Sequence, residues 1–110
     1  MRVYIDDLVY QVLDIFYTTS MKNHITLDYP TVLNKIDRLE KALYDFAPYA
    51  ETINNVPYRK DWQKAGYREY YAEGFHFAYD IYYLPTGEQV VFYCDAVHDK
   101  TNINPEDRFV

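Results

Sequence analysis

The feature that most constrains this chain is a hairpin signal near its C-terminus. Phe75-His-Phe-Ala-Tyr-Asp-Ile-Tyr-Tyr83 puts a large apolar or aromatic residue at every second position, and His76 and Asp80 fall between them. A short Pro85-Thr86-Gly87-Glu88 turn follows, then the apolar run Gln89-Val-Val-Phe-Tyr-Cys-Asp-Ala-Val-His98. A period of two sends successive side chains to opposite faces, so Phe75 to Leu84 and Gln89 to His98 are expected as paired strands. If Leu84 opposes Gln89, or if the loop is Thr86-Gly87 alone, opposing residue numbers sum to 173. One face then carries Phe75, Phe77, Tyr79, Ile81 and Tyr83 against His98, Ala96, Cys94, Phe92 and Val90. The other carries His76, Ala78, Asp80 and Tyr82 against Val97, Asp95, Tyr93 and Val91. His76, Asp80 and Asp95 would then share one face, within a diagonal reach of roughly 7–8 Å.

So apolar a hairpin needs a partner layer. The N-terminal half supplies it. Leu8, Val9, Val12, Leu13 and Phe16 form a helical stripe, with Asp6 placed to cap a helix running to about Thr19. Val32, Ile36, Leu39, Leu43 and Phe46 recur at spacings of four and three, which predicts a second helix from Thr31 to about Ala47, ended by Pro48. Met1 to Ile5 is compatible with a short leading strand. Residues 48–67 are expected to be irregular or partly helical, and Arg68 to Glu73 reads as a further strand before Gly74. The tail from Asp99 is polar until Phe109 and Val110. The expected fold is a single α+β domain over residues 1–110. An N-terminal helical hairpin packs on a small antiparallel β-sheet.

Composition narrows the function classes. A net charge of −6 argues against a general nucleic-acid binder, because counterion release needs gathered cations. The single cysteine, Cys94, excludes an internal disulfide and a cysteine-based zinc site. His24, His76 and His98 show no metal-ligand spacing, so neither a metal nor a cofactor is expected. No apolar run approaches the roughly 18 residues of a membrane span. Acids at positions 6 and 7 break the start of the chain as a secretory signal, and a cytoplasmic protein is expected.

The order Tyr67-Arg68-Glu69, Gly74, the strand 75–83, a short turn, and a last strand ending His98-Asp99-Lys100 resembles the RelE/ParE superfamily of bacterial toxins. Members tend to start the second strand with a YRE-like motif and to end the last with a His-Arg-Arg-like signature. The coarse order spans nearly the whole chain, and the motif-level likeness spans Tyr67 to Lys100. The resemblance implies the toxin of a type II toxin–antitoxin pair, with a cognate antitoxin as protein partner. It implies either a ribosome-dependent mRNA endoribonuclease, which meets ribosome and mRNA, or a ParE-like inhibitor of gyrase. A non-catalytic protein-interaction module that has lost toxin chemistry is the third expectation. The chain departs from the family where His76 stands in place of a common strand arginine, and where Asp99 and Lys100 follow His98.

Candidate residues follow for the ribonuclease expectation. His76, His98 and Asp95 are the candidates for acid–base chemistry, since a carboxylate-tuned histidine exchanges protons near neutral pH. Arg59, Lys60, Trp62, Lys64 and Arg68 are the candidates for RNA binding. Residues 57–68 hold four cations against Asp61 alone, a balance of +3, interleaved with Tyr58, Trp62 and Tyr67. Cations and rings together suit phosphate contact and base stacking. The plainer account is a solvated loop with Trp62 tucked onto the core, a half-exposed sheet face around His76, and a core-edge His98.

Overall fold

The structure is a computed structural model that describes residues 1–23 and 28–99. His24, Lys100 and the rest of the tail lie outside the described residues. The elements run β1 (Arg2–Ile5), α1 (Asp7–Asn23), α2 (Tyr29–Phe46), α3 (Lys60–Ala65), β2 (Arg68–Ala72), β3 (Phe75–Tyr83) and β4 (Gln89–His98), with a 3-10 turn at Ala47–Tyr49 after α2. The four strands form one sheet in the order β1-β4-β3-β2. β2, β3 and β4 are antiparallel as expected, but β1 lies parallel to β4. The sheet is therefore mixed and not wholly antiparallel. Parallel neighbours need a long crossover, and α1 and α2 lie within it.

Both long helices start on aspartate caps. Asp6 accepts from the Leu8 amide at 2.9 Å, and its carbonyl accepts from Val9 at 3.0 Å. Asp28 accepts from the Thr31 amide at 2.9 Å, with Pro30 in the first turn. Hydrogen bonds from Thr31, its side chain first and its amide second, hold the Asp28 carboxyl below its ordinary range. The stripes read from the sequence meet the sheet. Val9, Leu13, Leu39, Leu43 and Phe46 are buried against Phe75, Phe77, Tyr79, Val91 and Tyr93 in one cluster. Two core tyrosines keep partners for their hydroxyls, as buried polar groups must. Tyr93 donates to the Leu43 carbonyl at 2.5 Å, and Tyr79 to the Ala50 and Ile53 carbonyls at 2.8 and 3.0 Å.

The hairpin register is where the structure corrects the sequence. Leu84 bonds through its amide to Glu88, not Gln89, and the Gly87 amide bonds back to Leu84. The loop is thus the three residues 85–87, with Gly87 at φ +87° closing it in the left-handed region. From Tyr83↔Gln89 to Tyr79↔Tyr93 the opposing numbers sum to 172, and from Ala78↔Asp95 to Phe75↔His98 they sum to 173. Cys94 is the extra residue, a bulge that re-phases the strand. Val91 and Tyr93 therefore join the helix-packed core, and Phe92 and Val90 take the opposite face, the reverse of the expected assignment. Beyond the bulge the register agrees with the expectation.

Candidate functional site

The sheet face away from α1 and α2 holds most of the candidate residues, and α3 covers part of it. Trp62 is buried there, and its indole Nε1 donates to Asp95 Oδ2 at 3.1 Å. Asp95 is only 8 % exposed and also accepts the Ala96 amide at 2.8 Å. Arg59 is 2 % exposed. Its guanidinium donates to Asp61 at 3.0 Å and lies 5.6 Å from the Trp62 ring centroid. The segment that reads as a basic loop is thus a packed helix whose ring and arginine face inward.

This placement changes the roles of the five RNA-binding candidates. Base stacking needs an open ring, and Trp62 is covered. Arg59 is engaged with Asp61. Arg68 donates from Nη1 to the Ala50 and Glu51 carbonyls at 3.1 and 2.7 Å, and so fastens the segment after α2 to the sheet. Lys60 and Lys64 are exposed on α3. Arg59, Trp62 and Arg68 thus serve internal contacts.

The acid–base candidates separate as well. His76 and His98 lie on opposite faces, because Phe75 pairs with His98 and His76 with Val97. His98 is buried at the core edge. Its ring stacks on Phe16 at 4.0 Å and meets Phe75 edge-on at 4.7 Å. Asp95 is held by Trp62, and Asp80 is exposed. The carboxylates bonded to His76 are Glu69, 3.0 Å from Nδ1, and Asp99, against Nε2. Tyr71 donates to the other Asp99 oxygen at 2.6 Å, and the Tyr71 and Tyr58 ring centroids lie 4.7 and 6.3 Å from the imidazole. Glu69, Tyr71 and Asp99 were missed in the sequence. The signal was present: a two-residue loop at Glu73-Gly74 makes opposing numbers sum to 147, which sets Tyr71 across from His76 and Glu69 on the diagonal.

This clasp joins β2, β3 and the end of β4. Each ring nitrogen faces a carboxylate oxygen, so both polar atoms of the imidazole are engaged within the protein. Tyr71 first, and His76 second, hold the Asp99 carboxyl below its ordinary range. A carboxyl lowered by folding contributes stability above its unfolded pKa and loses it as pH falls through the folded value. The two carboxylates approach opposite nitrogens of one ring, so they do not converge on a shared ion. Among the described residues no group of three histidine, cysteine or acidic side chains is placed to hold a metal. No helix is long and apolar enough to cross a membrane, among the described residues.

Cys94, at the bulge, has its thiol 3.4 Å from the Ala78 carbonyl. Burial, and then the Asp95 charge, push the thiol up to about 12. The thiolate is the reactive form. Iodoacetamide is therefore expected to alkylate Cys94 on the order of a hundredfold more slowly in the native protein at neutral pH than in the unfolded chain. Equal rates would show that the bulge leaves the thiol open. The chain matches no protein-family model, no curated protein and no solved structure.

Proposed function

We propose that this chain is a RelE/ParE-like member of a type II toxin–antitoxin pair that acts through protein contact and not by cutting RNA. One observation carries the choice: Arg59, Trp62 and Arg68, the residues best suited to grip RNA, are engaged in internal bonds. The net charge of −6 points the same way, since phosphate binding needs a cationic surface. The toxin assignment itself rests on the likeness of residues 67–99 in order and motif. A gyrase-directed activity fits, because it needs no nuclease constellation.

A second function, ribosome-dependent mRNA cleavage, is favoured by the His76 clasp, which holds a histidine beside two carboxylates and a tyrosine hydroxyl. Both ring nitrogens are engaged, so proton transfer to a substrate would first require one carboxylate to leave. Induced expression in a bacterial host separates the two. Growth is expected to stop with the wild-type chain and with a His76→Ala variant of unchanged circular dichroism. Arrest that disappears in the folded variant would favour the nuclease. Unimpaired growth with the wild-type chain would overturn the toxin assignment and leave the interaction module.

A further inference from the structure

The sheet has two covers of unequal kind. α1 and α2 close one face with a wide apolar cluster, and Trp62 does not belong to it. Residues 59–67, built around α3, cover part of the other face. The backbone bonds of this segment run within it. The Gln63 amide donates to the Arg59 carbonyl at 3.1 Å, Gly66 to Gln63 at 3.1 Å and Tyr67 to Trp62 at 3.0 Å. Its two stems are pinned to β2. The Tyr58 amide donates to the Glu69 carboxylate at 3.2 Å, and the Glu69 amide donates to the Asn55 carbonyl at 3.3 Å. Arg68 ties the chain at Ala50 and Glu51 to the same place. The segment is therefore a loop with neighbouring, fixed ends, and it can move without dragging a strand.

The buried Trp62 ring and its bond to Asp95 hold this loop down. The rest of the contact opposes that hold. Arg59 and Asp95 are buried with the ring, so two ionisable groups regain water when the loop lifts. Their hydration offsets part of the apolar burial that the ring loses. A notch of about 330 Å³ already separates Ala65 and Tyr67 on the loop from Leu8 and Cys94 across it. α3 has six residues, too few to persist off the sheet, so lifting and melting are one event.

We infer that residues 59–67 are a latched flap, with Trp62 and Asp95 as the latch, which lifts off the sheet as one unit while the core under α1 and α2 stays folded. Closed, the flap withholds Arg59 and Trp62 and covers Asp95. Open, it returns all three to water together. The internal engagement of Arg59 and Trp62 is thus a property of the closed flap. The inference deepens the proposed action through protein contact and rests on it for its biological meaning.

Amide hydrogen exchange of the full chain, read residue by residue by NMR, tests the flap. Gln63, Gly66 and Tyr67 report the loop, and the buried Leu39 and Leu43 of α2 report the core. The three loop amides are expected to share one opening constant, about tenfold or more above that of the core pair, as separate cooperative units give. Trp62→Phe keeps a ring and removes the donor, and it should raise loop opening roughly tenfold, the scale of a buried carboxylate left without its bond. Val9→Ala alters the core under α1. It should speed Leu39 and Leu43 roughly tenfold and leave the loop amides as they were. Equal opening constants in the wild-type chain would overturn the flap, and so would loop amides that quicken in step with the core in Val9→Ala. Loop amides unmoved by Trp62→Phe would overturn the latch. Early loop opening in a chain that leaves growth unimpaired keeps the flap and loses the toxin assignment. Growth arrest without early opening does the converse.

Discussion

Trp62→Ala is expected to lower the unfolding free energy by about 3–5 kcal/mol, the scale for truncating a buried aromatic side chain. The indole is 2 % exposed between α3 and the sheet, and it supplies the donor that Asp95 Oδ2 accepts. Removing it opens a cavity and strips a buried carboxylate of a hydrogen bond, and the second loss adds to the first. A domain of this size holds about 5–15 kcal/mol in all, so the midpoint should fall by roughly 15 °C or more. Trp62→Phe keeps most of the volume and loses the donor, and it should cost less. Thermal and urea unfolding of the two variants check the order. A base-stacking tryptophan on an open surface would give the opposite result, with the midpoint unmoved by either change.

Gly74→Ala is the second large effect. Gly74 sits at φ +87° in the tight loop between β2 and β3, a conformation that costs an L-residue about 1–2 kcal/mol. An added Cβ would also lie 2.7 Å from Nε2 of His98. That ring is stacked on Phe16 and abuts Phe75, so it has little room to retreat. Overpacking adds about 1–3 kcal/mol. Gly87→Ala is the control, because Gly87 has the same φ with nothing within 4 Å of the added atom. The difference between the two variants in urea denaturation isolates the His98 contact. Equal losses would mean that the His98 ring yields freely and is not fixed at the core edge.

Much of this architecture was legible in the sequence, for reasons that can be named. The period-four-and-three stripes of Leu8 to Phe16 and Val32 to Phe46 gave both long helices, although α1 continues to Asn23, past the expected stop near Thr19. Strand alternation gave β3 and β4 and put His98 under the helices. The bulge at Cys94 was not legible. It carries no glycine or proline to mark it, and one unpaired residue reverses the facing of everything between it and the turn. The turn was misread by one residue because a three-residue loop and the expected pairing differ only in which residue meets Leu84.

The site was less legible than the fold. Arg59, Trp62 and Asp61 look like a solvated basic segment until α3 is laid on the sheet, and Asp95 is 33 residues further along the chain from its Trp62 partner. Charge and ring content identified the segment, but facing decided its role. The His76 clasp does not belong to the β3–β4 hairpin. Its carboxylates come from β2 and from the residue after β4, and the β3–β4 pairing alone does not reach them.

The measurement that bears most directly on action through protein contact is a map of the 5′ ends of ribosome-bound mRNA during induced expression. The Arg59, Trp62 and Arg68 contacts predict no new ends while growth is stopped, in the wild-type chain and in His76→Ala alike. New ends within codons that appear with the wild-type chain and vanish with folded His76→Ala would contradict that account and make the His76 clasp a nuclease site.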